Sequence, residues 1–303
     1  MRVLITGATG TIGRAVTDRI RSRGDDPVVT SRNPGRASDA LGAGVEVHAW
    51  PDPTAAPPPA EALRVDGIIH LLGEPIDQRW TDESRKRIRE SRVGSTTQLV
   101  AGLAALPEPE RPSVLVSQSA VGYYGDRGPE LLPEDARPGA GWLAQVVIDW
   151  EQAAHRVPAG VRVVTTRTGV VLSPSGGALA KMLPFFKLGV GGPVAGGDQY
   201  VPWIHLDDVA GGLLHCLDHA EARGAANLSA PEPVTNKTLS RALGKTLGRP
   251  ALLPVPGFAV SLLYGEMAEL VTGGQRAVPA QLQQLGYAFE HPDLDEALTD
   301  VLH

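Results

Sequence analysis

Residues 2–13 read Arg2-Val-Leu-Ile-Thr-Gly-Ala-Thr-Gly-Thr-Ile-Gly13. Val3 to Ile5 is a short apolar, β-forming run, and Gly7, Gly10 and Gly13 follow it at intervals of three. Ala15, Val16 and Ile20 then recur at helical spacing, so the glycines sit on a strand-to-helix turn. Such a turn lets backbone approach a pyrophosphate and aims helix N–H groups at it, with the positive end of the helix dipole behind them. The third glycine lets the helix pack closely on the strand. The frame of strand, glycine turn and helix predicts nucleotide binding in an α/β fold.

The rest of the composition narrows the class. The chain has 303 residues, 42% hydrophobic and 20% charged, with a net charge of −6. That balance, without a Lys/Arg run interleaved with aromatics, speaks against a nucleic-acid surface. Cys216 is the single cysteine, so no intrachain disulfide forms and a reducing compartment suits the chain. The first strand begins at residue 2, and no apolar run reaches the roughly 18 residues of a membrane helix. The expectation is a soluble cytoplasmic protein whose partner is a small molecule, not nucleic acid or membrane; homo-oligomerisation stays open.

Further strands are expected at Pro27–Thr30, Val45–Trp50, Asp66–Leu72, Ser113–Ser117 and Val161–Arg167, separated by helical stretches such as Asp82–Ala105 and Ala140–His155. The continuous apolar strands suit a parallel sheet covered on both faces, and the alternation implies a doubly wound sheet with right-handed crossovers. At the tip of the second strand an Asp or Glu, about 20 residues past the glycines, would favour NAD. Ser31 and Arg32 stand there instead, with Arg36 nearby; a hydroxyl and a guanidinium suit a 2′-phosphate, so NADP(H) is favoured over NAD(H). His70, inside an apolar strand, reads as a core residue, and Asp207 or Asp208 as the cap of a helix. The glycine-rich stretch 189–197 lacks the strand-turn-helix frame of a phosphate cradle. The eight histidines show no paired ligand spacing, so no metal site is expected.

The chain resembles the extended, epimerase-like branch of the short-chain dehydrogenase/reductase superfamily, and within it the atypical epimerase family proteins. The likeness rests on TGATGTIG (6–13), SR (31–32), HLLGEPIDQRW (70–80), SRVGSTTQLV (91–100), SAVGYYG (119–125), RTGVVLS (167–173) and GGPVAGGDQYVPWIHLDD (191–208). NLSAPEPVTNKTLSRALGKTLGRP (227–250) and PVPGFAVSLLYGEMAELVTGGQRAVP (254–279) extend it over nearly the whole chain. It implies an NADP-binding Rossmann domain over 1–172, completed by about 200–228. Residues 173–199 and 229–303 would then form a smaller, mainly helical substrate lobe. It also implies that Gly7, Thr9, Gly10, Thr11, Ile12 and Gly13 hold the pyrophosphate, and Ser31 and Arg32 the 2′-phosphate. Leu71 and Leu72 would line the adenosine side, and Arg92 would reach the cofactor from the long helix; Gly73 and Glu74, which end the fourth strand, are candidates on the cofactor face, where Glu74 could bond ribose or substrate or merely cap the turn.

Most of the superfamily moves protons with Ser, Tyr and Lys, the last two as Tyr-x-x-x-Lys on the helix after strand five, where the ammonium lowers the phenol's pKa. Counting back from Glu151 puts Leu143 at the tyrosine position and Val147 at the lysine position, and neither can transfer a proton. Ser119 fits the family's serine. Tyr123 or Tyr124, leaving the sheet at its ligand-binding end, could replace the missing acid or could simply pack the pocket wall; Lys181 and His205 are further candidates. Trp203, Tyr200 and Arg167 are expected to shape the pocket. Two readings follow: an NADP(H)-dependent oxidoreductase or epimerase acting on a small polar substrate, or a non-catalytic NADPH-binding regulatory or scaffold protein.

Overall fold

Short, mostly apolar runs, several of them rich in Val, Ile and Thr, build one parallel sheet. In the computed structural model, which describes residues 1–303 apart from the side chains of residues 259, 263 and 264, its strands are β1 (Arg2–Thr6), β2 (Asp26–Ser31), β3 (Glu46–Ala49), β4 (Gly67–His70), β5 (Val114–Ala120), β6 (Arg162–Thr168) and β7 (Gly224–Leu228). They lie side by side in the order 3-2-1-4-5-6-7, the Rossmann-type, doubly wound arrangement expected. Thr6 pairs with Thr30 on one side and with His70 on the other. The winding therefore reverses between β1 and β4, and ligands of such sheets bind outside the carboxyl ends at that reversal.

Alternation along each strand divides the core into two layers. Val3 and Ile5 face helices α1 (Thr11–Ser22) and α7 (Leu206–Asp218), packing with Val16, Ile20, Val209 and Leu213. Leu4 faces the other way, joining Ile68 and Leu115 against Leu99 and Leu103 of α4 (Ser95–Ala105). Helix α2 (Pro34–Leu41) follows β2. The long helix expected over 82–105 is present but broken in its middle: α3 (Asp82–Arg89) runs into α4 through a π-turn at Glu90–Gly94. Helix α5 (Trp142–Ala154) follows β5.

The helical remainder has its own core. Helices α6 (Gly177–Lys187), α8 (Asn236–Thr246) and α9 (Leu294–Leu302) enclose Leu183, Phe186, Leu239, Leu243 and Leu298. Trp203 belongs to this cluster, 1% exposed, with its indole N–H donating to the Glu232 carbonyl at 3.1 Å. That placement overturns its expected role as a pocket wall: a ring this large is satisfied by core packing. The cap of α7 also differs from expectation. His205 Nδ1 accepts the Asp207 amide at 3.1 Å, while Asp207 and Asp208 fall in the first turn. Among the described residues, no helix is long and apolar enough to cross a membrane.

Candidate functional site

The glycine turn forms one wall of a crevice of about 250 Å³ whose lining includes Gly7, Thr11, Ile12, Leu71, Gln118 and Ser173. Gly7 has φ +71, and a Cβ there would sit 2.9 Å from the Leu71 carbonyl oxygen, so β1 and β4 approach as closely as backbone allows. A Cβ on Gly13 would lie 2.4 Å from the Gly7 carbonyl oxygen and 2.6 Å from the Ala8 Cα. Gly10 heads α1 without any side-chain cap, and no acidic residue stands in the first turn. Its leading amides therefore face the crevice without a protein acceptor, the condition that suits a bound anion. A second helix start, Gly176 before α6, is equally uncapped and reaches this place, where an added Cβ would meet Thr11 Oγ1 at 2.5 Å. These features fit the diphosphate of a dinucleotide.

At the far end of the crevice wall, Thr9 and Arg32 are exposed and Ser31 is half-buried. The Ser31 hydroxyl donates to the Asn33 carbonyl and accepts its amide, both at 3.1 Å. Arg14, unremarked in the sequence, adds a guanidinium by bridging the carbonyls of Thr9 at 3.0 Å and Ala40 at 2.9 Å. Only residues with a recognised motif position were legible there; Arg14 belongs to none.

Behind the wall runs a buried row of hydrogen bonds. The Leu71 amide donates to Thr6 Oγ1 at 3.1 Å, Thr6 Oγ1 meets His70 Nδ1 at 2.8 Å, and His70 Nε2 meets Thr96 Oγ1 at 3.0 Å. Thr96 then donates to the Arg92 carbonyl at 2.7 Å and accepts the Trp150 indole N–H at 3.0 Å. Burial pushes the His70 imidazolium down to about 3, so the ring is a neutral core spacer. Leu71 faces the crevice, whereas Leu72 packs on the opposite core layer. Arg92, carried by the π-turn, does not project openly: it donates to the carbonyls of Glu74 at 2.9 Å and Ile88 at 3.2 Å, and lies 5.3 Å over the Trp150 ring. Burial lowers its pKa to about 10, with the Glu74 charge opposing. A Cβ on Gly73 would press on the Arg92 guanidinium at 3.2 Å. The Glu74 carboxylate itself is engaged by Gln78 and Arg87, which hold its pKa below the ordinary value.

The family's proton-transfer positions lie beside the turn after β5. A Cβ on Gly122 would meet Leu143 at 3.1 Å and Val147 at 3.9 Å, so the wall there is apolar. Ser119, 1% exposed, donates to Glu151 Oε1 at 2.6 Å. Arg167 grips the same carboxylate through Nε and Nη2, both at 2.9 Å, and donates to the Tyr124 hydroxyl at 3.0 Å. Tyr124 in turn donates to Asn227 at 2.8 Å. Burial works against the Arg167 cation, but Glu151 and Tyr124 outweigh it and hold the guanidinium above its usual value. Burial also raises the Tyr124 phenol to about 12, against the pull of Arg167. Fully buried and bonded on both sides, Tyr124 is placed as a strut rather than as a proton donor to substrate. Tyr123 is half-buried, with the Arg167 guanidinium 3.4 Å over its ring. Lys181 pairs with Asp77 at 2.5 Å, and His205 uses its Nδ1 to cap α7. Away from the crevice, folding gathers His205, Asp207, His291 and Asp300, a set that spacing along the chain did not disclose.

Comparisons with known proteins agree with this fold. The model of the NAD dependent epimerase/dehydratase family matches residues 3–228, and that of a domain of unknown function (DUF1731) matches residues 255–301. Epimerase family protein SDR39U1 of Bos taurus is 37% identical over 309 residues, covering 100% of both chains. Its chloroplastic homolog from Arabidopsis thaliana is also 37% identical, over 100% of this chain and 87% of its own. Among solved structures, human epimerase family protein SDR39U1 (isoform 2) with NADPH superposes with a TM-score of 0.89 at 34% identity, over 99% of each chain. MoeE5 in complex with UDP-glucose and NAD, at 18% identity and a TM-score of 0.74 over 98% of this chain and 96% of that one, shares the fold.

Proposed function

Because this chain belongs to the NAD dependent epimerase/dehydratase family, we propose that it holds NADP(H) in the crevice between β1 and β4 and acts as an oxidoreductase or epimerase on a small polar substrate. The observation that carries the reading is the uncapped start of α1 over a backbone cradle too tight for any Cβ at Gly13. Preference for the phosphorylated dinucleotide is supported by Ser31 and Arg32 at the tip of β2, in place of the acidic residue that would favour NAD. The similar human protein holds NADPH. Once bound, the dinucleotide supplies hydride transfer.

The chain's own residues must then handle the proton. With Leu143 and Val147 apolar, and with Ser119 and Tyr124 tied into the Glu151–Arg167 network, Tyr123 is the group left for that task. Its hydroxyl has no hydrogen-bond partner among the described residues, and its ring lies against a permanent cation. A second reading, a non-catalytic NADPH-binding protein, is favoured by that same apolar wall. A reducing compartment, in our reading the cytoplasm, suits Cys216, whose burial raises the thiol to about 12.

Calorimetric titration should give tighter binding for NADPH than for NADH, and Arg32→Ala should reduce that preference about 10- to 100-fold, the worth of a charge-assisted phosphate contact. An unchanged preference would remove the 2′-phosphate assignment. NADPH oxidation across carbonyl and nucleotide-sugar panels, repeated with Tyr123→Phe, separates the enzyme from the binding protein.

A further inference from the structure

Two of the eight histidines end up stacked. His205 closes the short strand Trp203–His205, and His291 lies just before α9; their ring centroids are 3.8 Å apart. Around them stand two carboxylates. Asp300 Oδ2 lies 3.2 Å from His205 Nε2, and Asp207 Oδ2 lies 3.7 Å from His205 Nδ1 and 3.9 Å from His291 Nε2. One donor atom from each of the four residues falls within 4.8 Å of all the others. Four ligands bound tetrahedrally to an ion at 2.0–2.2 Å stand about 3.3 Å from one another; of the atoms that would bind, Asp300 Oδ2 and His205 Nε2 already stand 3.2 Å apart, and Asp207 Oδ2 and His291 Nε2 3.9 Å.

His205 adds an independent sign. It is 4% exposed, its Nδ1 is taken by the Asp207 amide, and its Nε2 has no hydrogen-bond partner despite the nearness of Asp300. Asp300 is close enough for Coulomb attraction but off the line a hydrogen bond needs. A buried ring nitrogen left without a partner, beside the Asp300 carboxylate, calls for a ligand.

The cluster is also held from outside. Asp208, 1% exposed, accepts the amides of Glu290 at 2.8 Å and His291 at 2.9 Å and the Tyr287 hydroxyl at 3.1 Å, which pins His291 against His205. Arg19 takes the other Asp207 oxygen at 3.3 Å and so orients Oδ2 inward. Such outer contacts are what fix metal ligands in place.

We propose that His205, Asp207, His291 and Asp300 form a closed, tetrahedral site for a divalent cation of the zinc class, fastening residues 287–300 to the head of α7. Two imidazoles and two carboxylates are a donor set zinc accepts, and four protein ligands with no open position mark a structural site. The two carboxylates balance the charge of the ion. Neutral His205 carries its proton on Nε2, because Nδ1 accepts an amide. Coordination through Nε2 moves that proton to Nδ1, and the Asp207 amide gives up its acceptor in exchange for four metal–ligand bonds. None of the four residues lines the crevice, so the site stands or falls independently of the nucleotide reading.

The test uses the untagged full chain, stripped with chelator. Zinc titration should show one ion per chain, and cobalt(II) should give the intense visible bands of tetrahedral coordination. At free zinc 100 times Kd, the unfolding equilibrium constant should fall about 100-fold. His291→Ala and Asp300→Asn should each abolish the cobalt spectrum, while Glu296→Gln, on the same helix but outside the cluster, should keep it. No saturable binding by the wild-type chain, an octahedral cobalt spectrum, or binding that survives His291→Ala would each overturn the assignment.

Discussion

Arg167→Met tests the buried network most directly. Glu151, 8% exposed, has three side-chain donors: Arg167 Nε and Nη2, each at 2.9 Å, and Ser119 at 2.6 Å. Methionine fills comparable space and removes two of the three, leaving a buried carboxylate with a single hydroxyl partner. Breaking a buried pair on one side costs about 3–5 kcal/mol, because the surviving charge is left without compensation. With a urea m-value of about 3 kcal/mol per M for a chain of this size, the midpoint should fall by about 1–1.7 M. Glu151→Gln alone should cost a similar amount, since it strands the Arg167 cation. The two together should cost clearly less than their sum, because the double variant buries no charge; a coupling of at least about 2 kcal/mol is expected. Urea unfolding followed by circular dichroism and tryptophan fluorescence on all four proteins closes the cycle. Additive losses would show that the pair is not the unit described, and the account of Ser119 as a bonded support would go with it.

Three further outcomes follow from the same structure. Gly13→Ala should abolish the thermal shift given by NADPH, because its Cβ would fall 2.4 Å from the Gly7 oxygen and 2.6 Å from the Ala8 Cα, forcing the cradle open. Tyr124→Phe should lower stability by about 1–3 kcal/mol, leaving Asn227 and Arg167 short of a partner, with NADPH affinity unchanged by calorimetry; Tyr123→Phe should do the reverse, sparing stability and removing any turnover. For His70 the folded pKa, about 3, lies below the ordinary 6.5, so between these values the unfolded chain binds a proton that the folded chain does not. Its contribution is complete above about pH 6.5 and is lost toward pH 3 at about 1.4 kcal/mol per unit; His70→Asn should flatten that slope in urea midpoints measured from pH 4 to 7.

What could be read from the sequence was what the chain writes locally. The glycine turn, the strand alternation and the Ser31–Arg32 tip each depend on residues within a few positions of one another. Leu143 and Val147 were readable because their place is counted along one helix. Glu151 served as the landmark for that count, yet its bond to Ser119 was invisible: 32 residues separate the two, and only the packing of α5 on β5 joins them. The cap of α7 misled for a related reason. Aspartate is the commoner capping residue, but Asp208 is drawn inward by amides 82 and 83 residues later, which leaves the cap to His205. His291 and Asp300 reach His205 through that same long-range anchor.

The row from the Leu71 amide to the Trp150 indole admits one self-consistent placement of its protons. Thr6 receives from the main chain and must give to His70, which must give to Thr96, which keeps its own proton for the Arg92 carbonyl. The Leu71 amide at the crevice wall is therefore linked through that row to the Trp150 indole. NADPH binding should accordingly shift the Trp150 contribution to the emission of the five tryptophans, a change that a fluorescence titration would read.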